Sequence, residues 1–249
     1  MDRNLEQYFS EYSKLPFENI QESYRKRKIL DWINGRSLKG MNILEVGCGQ
    51  DSIFNYLDNE GSRYIIDPIQ EMFESKQNKK LNIEINRYVD TLENVHLYID
   101  IKFDVVIVSS LIHEINNPID FLFCCKKLLK KEGKIIVVTN NKASIHRILG
   151  VELGILKSTN SRTQTEDKMQ QIYGAFTMSE LVSLFEKCDL NVSRIETFFP
   201  KLLPHKKMSE AIESKVINST FLDQLDALIE YLPDFGSEII AEISHDKKV

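Results

Sequence analysis

Short apolar runs alternate along this chain with segments whose apolar residues recur every three or four positions. Residues 18–35 have the second pattern: Ile20, Tyr24, Ile29 and Trp32 can share one face of a helix, and Asn34-Gly35 is a stop signal. Ile43, Leu44 and Val46 then make a short buried strand. Residues 51–60 predict a helix capped by Asp51 or Ser52. Residues 64–66 predict a second strand, 69–79 a helix and 82–89 a third strand. FDVVIVSS (103–110) is β-branched on both faces, as a central strand requires. A helix over 117–133, stopped at Gly133, leads into a buried strand over 134–141. This strict alternation predicts a parallel sheet with helices on both faces.

The rhythm changes after residue 141. Residues 142–175 are polar and fit loop and short helix. Residues 176–190 predict a helix with Thr177 or Ser179 near its cap, followed by a strand over 191–199. Residues 207–232 are again helical, and 237–244 is a last strand before a loose HDKKV tail. The expectation is one domain over 1–249. It comprises an N-terminal helical lid (1–38), a core (39–141), an insertion covering the site (142–175) and a C-terminal part (176–249).

Composition narrows the function classes. The 249 residues are 42% hydrophobic and 28% charged, with a formal net charge of -5. That is an ordinary globular composition, and the negative balance argues against nucleic acid as a partner. Cys48, Cys124, Cys125 and Cys188 form no CxxC pair, so reduced thiols and a cytoplasmic location are expected. The N-terminus lacks a signal-peptide core, and no run of about 18 apolar residues predicts a membrane span. No metal-ligand spacing is present, so no metal is expected. A small-molecule acceptor and a monomer or homodimer complete the expectation.

Ligands of open α/β sheets bind at the carboxyl ends of the strands, so the residues there matter most. They are Glu45-Val46-Gly47-Cys48-Gly49, Asp67, Asp90, Ser109-Ser110 with His113-Glu114 just beyond, and Thr139-Asn140-Asn141. Gly47 and Gly49 let backbone approach a ligand. Asp67, 18 residues past Gly49, can accept from the two hydroxyls of a ribose. A pyrophosphate cofactor normally needs G-x-G-x-x-G; here Asp51 stands in that region and Glu45 precedes the glycines. Both carboxylates disfavour phosphate and tolerate a cationic ligand.

E-V-G-C-G, I-I-D-P, F-D-V-V-I-V-S-S-L-I-H-E-I-N-N-P and L-L-K-K-E-G-K-I-I-V-V, in this order over residues 40–141, resemble the class I S-adenosylmethionine-dependent methyltransferases. The resemblance implies a Rossmann-like α/β fold with a mostly parallel seven-stranded sheet, an N-terminal helical lid and insertions after strands five and six. It implies S-adenosylmethionine as cofactor and S-adenosylhomocysteine as product. By position, Glu45, Gly47 and Gly49 would line the methionine part, Asp67 the ribose, and Pro68, Met72, Asp90 and Thr91 the adenine. Ser109 and Leu111 would flank the sulfonium. Three further segments, E-S-Y-R-K-R-K-I-L, N-N-K-A-S-I-H-R-I-L-G and K-L-L-P-H-K-K-M, resemble a bacterial subgroup serving capsule or surface-carbohydrate assembly, including methylation of a phosphoramidate.

Transfer to a hydroxyl also needs a base. Histidine suits the task because its ordinary pKa of about 6.5 lies near neutrality. His113, His146 and His205 are the candidates, with Tyr24, Arg25 and Arg147 as acceptor-binding residues and phosphorylated or nucleotide-linked molecules among the candidate acceptors. His96 and His245 fall outside the expected site. O-methylation is the expected reaction; N-methylation of another metabolite, or cofactor binding without catalysis, are the alternatives.

Overall fold

The computed structural model describes residues 4–34, 38–57, 61–81, 84–169 and 174–245. Gly35, the end of the HDKKV tail and parts of the helix expected at 51–60 and the strand expected at 82–89 lie outside them. Seven strands form one sheet in the order β3-β2-β1-β4-β5-β7-β6. They are β1 (Ile43–Val46), β2 (Arg63–Ile66), β3 (Asn86–Tyr88), β4 (Phe103–Ser109), β5 (Leu129–Asn140), β6 (Asn191–Phe198) and β7 (Glu238–Ser244). Strands β1 to β5 pair in parallel, and β7 runs antiparallel between β5 and β6. This is the Rossmann-like class I methyltransferase architecture expected from the sequence.

Alternation along the strands builds a core on each face. Val105 and Ile107 of β4, with Ile43, Ile65, Ile136, Val138 and Ile240, pack under α2 (Glu18–Asn34). Val106 and Val108, with Leu44, Ile66, Ile135, Val137 and Ile239, pack against α5 (Pro118–Leu128) and α8 (Met178–Lys187). The expected α2 face is inward, with Tyr24, Ile29 and Trp32 buried. Thr177 caps α8 in a capping box with Glu180.

Several elements differ from expectation. Among the described residues a 3-10 turn (Ile53–Asn55), capped by Ser52, follows the glycines, and Glu45 and Asn78 accept from the N–H groups at its start. The 69–79 segment is split into α3 (Gln70–Phe73) and a 3-10 turn (Asn78–Lys80). α5 ends at Leu128, five residues before Gly133. The chain enters β5 early because Leu129 already pairs with Phe103. Gly133 is thus a strand residue, bare because a Cβ there would lie 2.8 Å from Phe103 O and from Leu129. The 207–232 segment is two helices, α9 (His205–Glu213) and α10 (Ser219–Ala227), the second capped by Asn218. The insertion carries α6 (Ile145–Glu152) and α7 (Gln164–Lys168). Helix α1 (Leu5–Tyr12) lies within the segment expected as a helical lid, whereas α4 (Leu92–Val95) was not anticipated. No helix among the described residues is long and apolar enough to cross a membrane.

The approach to β7 is tight. A Cβ on Gly236 would fall 2.4 Å from Phe198 N and O, and Asn141 donates to the carbonyls of Asp234 and Gly236. Gly236→Ala is therefore expected to destabilise the protein by about 1–3 kcal/mol. Urea unfolding checks this, and an unchanged midpoint would contradict the packing described.

Candidate functional site

One cavity of about 850 Å³ opens along the sheet edge where β1, β2, β4, β5 and β6 end. That volume lies at the upper end of what ligand pockets need, leaving room for more than one small ligand. Glu45, Gly47, Gly49, Asp67, Pro68, Met72, Asp90, Thr91, Ser109, Leu111, His113, His146, Arg147, His205 and Arg25 all border it. Tyr24 does not. Its hydroxyl donates to Asp223 of α10 and its ring stacks on Phe199, so the expected acceptor contact is instead a helix-docking residue.

The glycine turn is held by side chains rather than by a helix. Gly47 and Gly49 have φ of +77° and +54°, which only glycine adopts without strain. Asp67 Oδ2 accepts from Cys48 N at 3.0 Å, and Oδ1 accepts from Ile69 N at 3.0 Å. Glu45 accepts from Ser52 Oγ at 2.5 Å and Ile53 N at 3.0 Å. Asn78, which no sequence pattern singled out, accepts from Ser52 N and donates to Gly49 O and Met72 O. Asp51, where a third glycine was expected, pairs with Lys26 of α2 at 2.6 Å.

These bonds correct the expected electrostatics. Glu45 and Asp51 do not act as free carboxylates facing a cationic ligand, because each already holds local partners. The same bonds strengthen the case against phosphate by another route. The N–H groups of Ser52, Ile53 and Phe54 are all consumed internally, so the segment after the glycines offers none of these three to a pyrophosphate.

An adenosine cofactor without phosphate does fit. Asp67 borders the cavity and accepts from Cys48 N, Ile69 N and, at 3.6 Å, the Cys48 thiol; a ribose hydroxyl would take a remaining lone pair or displace the weak thiol bond. The glycines present bare backbone beside it, and a Cβ on Gly47 would press on Leu111 at 3.3 Å. Asp90, held by Thr91 N and Asn94, closes this end.

The other end is lined by charged groups in balance. Arg25 donates to Glu238 at 2.5 and 2.9 Å and to Glu18 at 3.2 and 3.3 Å. Arg147 donates to Thr159 O, Ser161 O and Glu166. Both were expected to bind acceptor; both guanidinium groups are spent bracing the protein. His113 is buried, with Nδ1 3.2 Å from Thr139 Oγ1 and Nε2 3.2 Å from Asn140 Nδ2. With the Asn140 amide as donor, Nε2 accepts and the proton sits on Nδ1. His205 Nε2 lies 2.9 Å from Gln21 Oε1, while His146 Nδ1 is buried with no hydrogen-bond partner. Burial lowers the pKa of all three rings, which weakens the expected role of any of them as base. Gln21, Glu18 and Glu238 were not expected here, and Lys201 was read only as a neighbour of His205. Only long-range packing of α2 on β7 brings them together.

Comparison with known proteins agrees with this geometry. Residues 44–137 match the family described as "Methyltransferase domain". The chain is 32% identical over 123 residues to the mitochondrial ubiquinone biosynthesis O-methyltransferase of Rattus norvegicus, covering 47% of this chain and 36% of that protein. It is 32% identical over 135 residues to the ubiquinone biosynthesis O-methyltransferase of Rickettsia akari, covering 53% of each. The chain thus spans only about a third to a half of the relatives it matches. A plantazolicin methyltransferase, BamL, crystallised with a triazolic desmethylPZN analog and SAH, superposes with a TM-score of 0.60 at 19% identity, over 95% of this chain and 91% of that one. An S-adenosylmethionine-dependent methyltransferase of Clostridium acetobutylicum superposes at 0.55 and 12% identity, over 89% and 91%. The domain match is confined to residues 44–137, and the solved methyltransferase structures share the fold of nearly the whole chain.

Burial pushes the Glu45 carboxyl up to about 8, against an ordinary 4.5. Between those values the folded protein holds a proton that the unfolded chain has lost, so raising the pH favours unfolding. Glu45→Gln removes this contribution. Melting curves at pH 5, 6.5 and 8 should show the wild type losing stability relative to the variant as pH rises; a constant difference would refute the burial effect.

Proposed function

We propose that this protein transfers a methyl group from S-adenosylmethionine to an oxygen atom of a small acceptor. The observation that carries this is the division of one cavity. A glycine turn followed by three N–H groups already bonded within the protein sits beside Asp67 at one end, and a charge-balanced polar chamber lies at the other. The first suits a ribose and a phosphate-free cofactor; the second is walled by α2 and α6 and suits a separate acceptor. Oxygen is favoured over nitrogen by the O-methyltransferases among the relatives.

S-adenosylmethionine supplies a methyl group already activated by positive sulfur. What remains for the protein is to align the acceptor, exclude water and take a proton. Enclosure falls to α1, whose Leu5, Tyr8 and Tyr12 border the cavity above the glycine turn. Tyr8 reaches Glu114, and Gln50 of the turn donates to Ser13 just past α1.

A phosphorylated acceptor, including the capsular phosphoramidate suggested by the sequence, would need an uncommitted cation. Both interior guanidinium groups are neutralised by carboxylates, and Lys201 lies beside Glu18 and Glu238. An unphosphorylated acceptor fits this interior better, whether or not it belongs to a surface carbohydrate.

Calorimetric titration with S-adenosylhomocysteine tests the cofactor. Saturable heat is expected, and Asp67→Ala should weaken binding by about 100-fold by removing charged hydrogen bonds to the ribose. Absence of saturable heat from the wild type, or undiminished affinity in the variant, would end the cofactor assignment.

A further inference from the structure

Lys201 follows β6 and reaches the cavity from the same sheet edge as the other strand ends. Cofactor in the β1–β2–β3 half leaves the acceptor above β4, β5, β7 and β6, where Lys201 lies. The residue is only 3% exposed. Its Nζ donates to Gln21 Oε1 at 2.8 Å, an oxygen it shares with His205 Nε2. A charged ammonium has three protons to place in such a setting, whereas a free amine has a lone pair to offer.

The groups around it decide which form it takes. From α2, Glu18 favours the ammonium and Arg25 opposes it. From β7, Glu238 favours it, but that carboxylate is already shared with Arg25 at 2.5 Å. From α6, Arg147 opposes it, although Glu166 partly neutralises that charge, and His146 stays neutral. From α9, His205 is neutral and competes for the same Gln21 oxygen. Burial outweighs all of these and brings the amine down to about 7. The histidines are poorer bases: His113 has both nitrogens engaged, and burial weakens all three.

We propose that Lys201 is the base of this site and that the acceptor carries a weakly acidic hydroxyl, a phenol or an enol. The proposal rests on the methyltransferase reading above. The acceptor O–H gives its proton to the free amine Nζ. An oxygen electron pair then forms the new O–CH3 bond while the C–S bond breaks and its pair stays on sulfur. Lys201 ends the turnover as an ammonium and returns its proton to water. An alkyl alcohol is too weak an acid to protonate a near-neutral amine before attack, and a carboxylic acid is already ionised. Phenols and enols lie between these limits, where a base of matched strength is effective.

4-Cyanophenol is a suitable probe, because its phenolate absorbs at longer wavelength than the neutral phenol, which predominates in solution at pH 7. Titrated at that pH into protein saturated with S-adenosylhomocysteine, it should give a saturable phenolate signal. In Lys201→Met the signal should weaken by at least about tenfold, while calorimetry shows S-adenosylhomocysteine binding unchanged. Lys131→Met and Lys187→Met, at exposed positions outside the cavity, should leave it intact. If Lys201→Met does not fold, Lys201→Gln keeps a donor for Gln21, has no basic nitrogen, and should lose the signal equally. Wild type that binds S-adenosylhomocysteine but shows no saturable phenolate overturns the lysine assignment alone, as does a signal that survives both substitutions. Failure to bind S-adenosylhomocysteine overturns the methyltransferase reading and this proposal with it.

Discussion

Four consecutive basic side chains on α2 hold the molecule's cavity closed, and the geometry of the site depends on them. Arg25 pairs with Glu238 of β7, Lys26 with Asp51 of the glycine turn, Arg27 with Asp223 and Asp226 of α10, and Lys28 with Glu196 of β6. Each residue meets a different part of the chain because a helix turns by about 100° per residue. The pairs differ in energetic character. Arg27 is half exposed, so its contribution is small. Arg25 and Glu238 are almost wholly buried, and removing one partner would strand the other charge in a dry interior, a loss of about 3–5 kcal/mol. A run that looks like a solvated basic face in sequence is thus a set of specific attachments. Through it α2 becomes the roof of the acceptor chamber, and α1 is carried into place over the glycine turn.

The same logic governs the floor. In Glu45 and Asp67, carboxylates organise backbone N–H groups that would otherwise be free. Both are held above their ordinary pKa by burial, at about 8 and about 6. Accepting those bonds offsets part of the cost of burying them. The arrangement also commits the turn chemically. With the N–H groups of Ser52, Ile53 and Phe54 already bonded, the segment after the glycines is a poor phosphate cradle, yet the turn still presents bare glycine backbone and an acceptor-rich carboxylate to a ribose.

How much of this could be read from sequence follows from the range of the interactions. The β4 and β5 strands were legible because continuous β-branched runs suit a position buried on both faces. Asp67 and the glycines were legible because motif order survives without knowledge of packing. Of the helix expected at 51–60 the described residues form one 3-10 turn, and the Glu45 and Asn78 contacts that tie down its start come from elsewhere in the chain and leave no local signal. Gly133 was misread as a helix stop because glycine marks both ends of helices and places of close approach, and only the pairing of Leu129 with Phe103 tells them apart. Tyr24 and Arg25 are adjacent in sequence and were given one role, yet they point to α10 and to β7. Lys201 lies in the K-L-L-P-H-K-K-M segment beside the candidate His205, but its partner Gln21 carries no local signal, since the two are 180 residues apart and meet only when the end of β6 and α2 converge.

That convergence traces to one feature of topology. β7 is the antiparallel strand, so it begins at the edge where the parallel strands end. Its first residues, rather than its last, therefore enter the cavity. Glu238 arrives under Arg25, and Ser237 joins three turns at once: its N–H donates to Phe199 O, its carbonyl accepts from Asn141 N, and its hydroxyl accepts from Lys201 N. The backbone of Lys201 is thereby fixed to the start of β7 and to the end of β5, the strand end that also holds His113 through Thr139 and Asn140. A parallel seventh strand would begin at the opposite edge and could supply neither Glu238 nor this anchor. The strand reversal is thus what sets a buried lysine beside a balanced ion pair at the acceptor end of the sheet.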